Sequence, residues 1–248
     1  MRFRFALALV LLAAPAVAIA AAKYQRPGFQ LPADRKAEVL VAYPEHFIGS
    51  LDSRGEAVAN PEWTAAAWAN MREALLSGPV GKAVTLRFMP EEGAASPVMV
   101  EAREAFKWRT TEVILGGPQG SKWGDKVKRG QYAYTIGTDI AARLRQEFGP
   151  ADYALFFTMH DAYATPGKKI GDMLGAMAVG VVGGSGAAAT ARDLPPHFGN
   201  AMLVDLSDGS VVWFHGDGAF GGDPRDKAGA IKRIGQATTG FPGTSRTR

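Results

Sequence analysis

No cysteine occurs in this 248-residue chain, and that absence removes several chemistries at once. Disulfides, cysteine-ligated zinc and a thiol nucleophile are all excluded. Charge of one sign is also lacking, because 28 basic residues face 24 acidic ones and leave a net charge of +4. Such a surplus gives little attraction to DNA or anionic lipid, which take clustered Lys and Arg. The densest basic stretch, Lys122 to Arg129, is interrupted by Asp125 and reads as a solvated loop. Nucleic acid is therefore not an expected partner. The tryptophans, Trp63, Trp68, Trp108, Trp123 and Trp213, are dispersed along the chain, which suits core and rim packing rather than a stacking platform for bases. The chain has no H-E-x-x-H zinc box and no G-x-S-x-G nucleophile elbow.

What is present begins at the amino terminus. Arg2 and Arg4 precede an apolar run from Phe5 to Ala14, then Pro15 and a stretch of small residues. The A-x-A rule is met at Ala16/Ala18, Ala18/Ala20 and Ala20/Ala22. These are the parts of a secretory signal peptide, assigned to residues 1–20 and cleaved so that the mature chain starts between Ile19 and Lys23. The alternative is an uncleaved N-terminal segment acting as a membrane anchor, a reading that Pro15 and the many alanines weaken. Cleavage takes two arginines with it and lowers the net charge from +4 to +2. Without cysteine the mature protein carries no lipid on that residue. The expected compartment is the periplasm, away from ATP and nicotinamide pools.

Residues 21–35 contain two prolines and no period, and read as a linker or arm. Residues 36–243 read as a single α/β domain with a Gly/Ala-rich insertion at about 165–198, followed by a tail at 244–248. Ala37 to Tyr43 is apolar and β-branched enough for a buried strand. Asn60 before Pro61 and Glu62 is a helix start, with Trp63, Ala67, Met71, Ala74 and Leu75 at helical spacing and Gly78-Pro79 as the stop. Ala83 to Met89 alternates as a strand, and Val98 to Leu115 is helical. Gly116 to Gly130 is loop. A helix capped by Thr138 or Asp139 then carries Ile140, Leu144 and Phe148 on one face and stops at Gly149. Asp152 to His160 is the strongest strand. Ala201 to Leu206 and Ser210 to Phe214 flank Asp208-Gly209, which predicts a hairpin with a type I′ turn and a positive φ at Gly209. Asp223 to Thr238 is a final amphipathic helix with Ala230, Ile231 and Ile234 inward. Strands alternating with helices predict an α/β layered sandwich, its mixed sheet partly parallel with a C-terminal antiparallel hairpin, flanked by helices.

Asp152 to Asp161, then Leu203-Val204-Asp205-Leu206 and Gly209-Ser210-Val211-Val212-Trp213, resemble a strand and hairpin of exported bacterial envelope proteins. The group comprises the curli-secretion lipoprotein, the TolB amino-terminal domain and the lipoprotein activators of peptidoglycan synthases. Gly222-Asp223-Pro224-Arg225, Gly229-Ala230 and Phe241-Pro242 are similar to a signature of uncharacterised exported proteins. The resemblance covers the last hundred residues well and the first hundred by element order. It implies fold and compartment, and its motifs are structural rather than catalytic.

Among the four histidines, His160-Asp161 ends a predicted strand, and His215 with Asp217 ends the hairpin. Strand-end loops are where α/β proteins place ligand sites. His160, Asp161, His215 and Asp217 are thus the candidates for one Zn²⁺ or a hydrolytic water, although their spacing matches no metal box. Gly184-Ser185-Gly186-Ala187-Ala188-Ala189, with Asp205 some twenty residues on, fits the dinucleotide fingerprint. Pro195-Pro196 leaves too little room for its crossover helix, so no cofactor is expected. The leading expectation is a non-enzymatic periplasmic protein that binds an envelope protein or membrane-associated partner in envelope assembly or maintenance, with a homo-oligomer as a further option. The Gly175–Ala189 segment reads either as a surface excursion or as the candidate contact with a partner or membrane. The alternative is a small periplasmic metal-assisted hydrolase using the four end-of-strand residues. If His160 and His215 do not converge, that alternative loses its ligand set.

Overall fold

A computed structural model of the chain describes residues 22–51, 57–115, 133–164, 197–218 and 220–244. The leader, the Gly116 to Gly130 loop and the Gly/Ala-rich segment lie outside the described residues, apart from the start of β7 at His197. In chain order the strands and helices are β1 (Ala22–Gln25), β2 (Glu38–Val41), β3 (Glu45–Leu51), β4 (Ala57–Ala59), α1 (Pro61–Ser77), α2 (Pro79–Ala83), β5 (Thr85–Phe88), α3 (Pro97–Leu115), α4 (Thr138–Phe148), β6 (Tyr153–Ala164), β7 (His197–Asp205), β8 (Val211–Asp217) and α5 (Lys227–Ala237). The eight strands form one mixed sheet in the order β1-β8-β7-β6-β2-β5, with β3 paired to β6 and β4 to β3. The neighbours β5, β2 and β6 run parallel, as do β3 and β6. Strands β6, β7, β8 and β1 are successively antiparallel. The expected α/β sandwich with a mixed sheet and a C-terminal hairpin is borne out.

Alternation along β6 divides the core. Tyr153, Leu155, Phe157 and Met159 face a layer formed by Met71 and Leu75 of α1, Val80 of α2 and Ala230 and Ile234 of α5. Ala154 and Phe156 face the opposite layer, with Met99, Ala102 and Phe106 of α3 and Ile140 and Leu144 of α4. Phe106 stacks on Phe156 at 5.5 Å between ring centroids, and burying each such ring contributes roughly 1.5–3 kcal/mol over leaving it exposed.

Helix α1 starts as its sequence dictates. The Asn60 Oδ1 accepts the Trp63 N–H at 3.0 Å, and Pro61 follows where its missing N–H costs nothing. Strands β2 and β3 follow one edge of β6 with an offset. Val41 pairs with Leu155 and Glu45 with Thr158, leaving one extra residue on the β2–β3 side. Pro44, which cannot donate to the ladder, falls in that gap. This lets β3 continue along the outer half of β6, where β4 replaces β5 as the next strand.

Four expectations change. Residues 22–25 are not linker but strand β1, because Tyr24 and Ala22 pack on the α3/α4 layer while the backbone pairs with β8. Helix α5 begins at Lys227, capped by Asp226 through the Gly229 N–H at 2.7 Å. Its inward face carries Arg233, fully buried, whereas Ile231 is 61% exposed. Helix α4 has Gly137 at its N-cap with no side-chain cap bond, since the Thr138 hydroxyl donates instead to the Asp208 carbonyl. Finally, Gly209 has the expected positive φ, +75°, but no non-glycine residue among the described residues does, so Asp208 does not complete a type I′ turn. The Asp205 N–H donates to the Ser210 carbonyl at 2.8 Å and the Gly209 N–H to the Asp205 carbonyl at 2.8 Å, closing a four-residue loop.

Candidate functional site

The odd positions of β6 that face α1 and α5 end in polar residues. After Met159 come Asp161 and Tyr163, and Asp161 has no exposed surface. An isolated carboxylate there would cost several kcal/mol, so it persists only with partners. Arg233, one turn from Ala230 and next to Ile234 on the inner face of α5, supplies the charge. Its Nη1 lies 2.8 Å from Oδ1 and 3.1 Å from Oδ2 of Asp161. The rest of the guanidinium is spent locally, with Nε donating to the Gly221 carbonyl at 3.2 Å and Nη2 to the Gly222 carbonyl at 2.6 Å.

The third member comes from β7. His197 is directly opposite Asp161 in the β6–β7 register, and its Nδ1 is 2.8 Å from Asp161 Oδ1. A carboxylate can only accept, so Nδ1 carries the hydrogen of this bond. The imidazole is 37% exposed while the side chains of Asp161 and Arg233 are wholly buried. The arrangement is thus a closed ion pair with one face of a histidine as its outlet.

A second tier surrounds that outlet. The Tyr163 ring lies 5.3 Å from the His197 ring. The Arg225 guanidinium sits between two aromatic faces, 4.0 Å from the Tyr163 ring and 4.3 Å from that of Trp63 on α1. Arg225 also grips Asp223, with Nε 2.9 Å from Oδ1. Burial alone would raise the Asp223 carboxyl; hydrogen bonds from the Arg225 side chain and backbone outweigh it and hold the group below the usual range. Burial first, then the negative charges of Asp161 and Asp223, push the Tyr163 hydroxyl well above its ordinary value. Asn70 of α1 clamps the same loop by donating to the carbonyls of Pro224 and Arg225 at 3.2 and 2.9 Å.

These contacts give the Gly-Asp-Pro-Arg and Gly-Ala signature a physical meaning. A side chain at Gly229 would start 2.0 Å from the Asp223 carbonyl oxygen, so only glycine lets the loop fold back onto the first turn of α5. The loop in turn places the two carbonyls that receive Arg233. The motif therefore builds the support of the ion pair.

The four candidates drawn from the sequence do not meet. His160 points to the opposite face of the sheet from Asp161, where it stacks on Phe47 at 4.8 Å. His215 shares the Asp161 face but stands two strands away, in the row of Ala201 and Phe157. Asp217 lies in the row of Gly199 and Met159. Among the described residues no group of three or more His, Asp or Glu is arranged to hold a metal ion. The dinucleotide-like segment is outside the described residues. Sequence reasoning missed His197 and Arg233 as the partners of Asp161. The available signal was Arg233 itself, a lone charge at the i+3 position from Ala230 on an apolar helix face.

No family model matches the chain, and no curated protein does so. Among solved structures, a PelC dodecamer from Paraburkholderia phytofirmans is similar at 12% identity and a TM-score of 0.33, over 88% of this chain and 94% of that one. A leucine-to-methionine variant of that dodecamer gives 12% identity and 0.34 over the same shares. Likenesses this loose carry no argument about architecture or function. No helix among the described residues is long and apolar enough to cross a membrane.

Proposed function

We propose that this is an exported, non-enzymatic periplasmic protein that binds an envelope protein or membrane-associated partner in assembly or maintenance of the cell envelope, in the manner of the lipoprotein and TolB group that its hairpin resembles. The supporting observation is the saturation of the Asp161–Arg233 pair. Its charges are turned inward and matched by protein groups, so the pair ties β6, β7 and α5 together rather than presenting a reactive group. The strands it joins are those that flank the Gly/Ala-rich segment in sequence, the candidate contact. Deleting Gly175 to Ala189 should abolish complementation of a deletion strain while leaving the melting temperature of the purified protein within a few degrees of wild type. Full complementation by the deleted form would remove this reading.

A hydrolytic reading has one observation of its own, the His197–Asp161 pair. A histidine oriented through Nδ1 by a buried carboxylate can use its other nitrogen as a general base. That reading predicts loss of function in His197→Gln at unchanged stability, which the binding reading does not.

A further inference from the structure

We infer that β1 is an acid-released strand, with His215 as its trigger and Lys23 as the repelling charge. In the antiparallel β1–β8 register Lys23 stands directly opposite His215. His215 is only 3% exposed, and its Nδ1 has no hydrogen-bond partner among the described residues. Trp213 lies parallel to it at 6.5 Å on the same side of β8. A proton on this imidazole would therefore be buried against an apolar ring and face an ammonium across the ladder.

The other groups around it do not offset this. Strand β7 presents only Ala201 in the same row. Helix α5 packs on β7 and β8, but its Arg233 is committed to Asp161 and two carbonyls, and its Lys232 is exposed. Asp217, two residues along β8, acts in the opposite direction. The net is a lowered His215 affinity for protons, caused first by burial and then by Lys23.

A base whose folded affinity is depressed confers stability above its ordinary pKa of about 6.5, and that stability drains as the pH falls below it. The opened state takes up the proton first. Of the elements touching His215, β1 is the weakest: four residues at a sheet edge. Local opening there is the least costly way to admit the proton. Release would uncover the outer edge of β8, an unpaired row able to accept another strand. An exported chain meets ambient pH, so the biological use of this device rests on the export reading; its chemistry does not.

Hydrogen exchange of the Tyr24 and Arg26 amides, which the antiparallel register turns toward β8, tests the inference, with wild type compared at each pH with His215→Gln so that intrinsic exchange chemistry cancels. The two should match at pH 8. Below about pH 6.5 the wild-type amides should exchange faster by up to about tenfold per pH unit, while Ala201–Val204 keep their protection. Lys23→Glu, which replaces repulsion by attraction in the folded state, should leave the onset near pH 6.5 but shrink the acceleration below it, and decides the matter alone if His215→Gln does not fold. Equal exchange of wild type and His215→Gln at every pH, or an undiminished acid acceleration in Lys23→Glu, would overturn the inference.

Discussion

Asp161 persists as a buried anion only while Arg233 stands beside it, and the converse holds for Arg233. Each side chain is fully buried, so removing one partner leaves the other charged, desolvated and unpaired. Arg233→Met should cost about 3–5 kcal/mol for that reason. The double variant Asp161→Leu with Arg233→Met should lose markedly less, because no charge is then stranded. Urea unfolding of both variants reads the difference, and equal losses would show that the charges are not coupled. This pair was only half legible in the sequence. Asp161 was visible at the end of an apolar strand, but the residue answering it lies 72 positions away. Helical period alone cannot say whether an arginine beside Ala230 points inward. That is decided by the counter-charge it meets, which also explains why Ile231 was placed inside and is found outside.

At the scale of elements, the long apolar alternations were readable. Those of β6, β7 and β8, and the helical spacing of α1 and α4, appear where their side chains fill the two core layers. Strands β1, β3 and β4 were missed because each is short or carries small and polar residues. Their pairing depends on partners supplied elsewhere in the chain, on β8 and on the outer half of β6. The β7–β8 hairpin was read correctly as an element and incorrectly as a turn. Its loop is fixed by tertiary contact as well as by local preference. The Gly209 carbonyl accepts the Ile136 N–H at 2.9 Å, and a side chain at Gly209 would begin 2.4 Å from the Gly137 oxygen. Gly209→Val combines that collision with left-handed strain and should destabilise by about 2–3 kcal/mol, measurable as a shift in urea midpoint at constant slope. A negligible shift would place the loop away from α4.

The arm between β1 and β2 is held in a comparable way. Arg35 binds both carboxylate oxygens of Asp152, each at 2.6 Å, and these hydrogen bonds, against the opposing effect of burial, keep the carboxyl below its usual range. A depressed carboxyl contributes stability above its unfolded pKa and loses it as the pH falls. Stability should therefore decline below about pH 4 more steeply in wild type than in Arg35→Ala. Thermal unfolding between pH 3 and 6 checks this, and parallel acid limbs would contradict it.

For the whole molecule, the order of strands and helices was enough to give a layered α/β sandwich, since each amphipathic element has to bury one face against a sheet. The same order could not say which strand-end residues would meet. His160 and Asp161 are adjacent in sequence, yet alternation sends them to opposite faces. Asp161 instead finds His197 and Arg233 through register and helix packing. Under the proposed function the buried cluster is scaffold, and the partner contact lies on another surface. Complementation of a deletion strain by His197→Gln, with a melting curve for the purified variant, tests that claim most directly. Glutamine keeps a donor for Asp161 but has no basic nitrogen. Retained function at an unchanged melting temperature is the predicted result, and lost function at an unchanged melting temperature would contradict it.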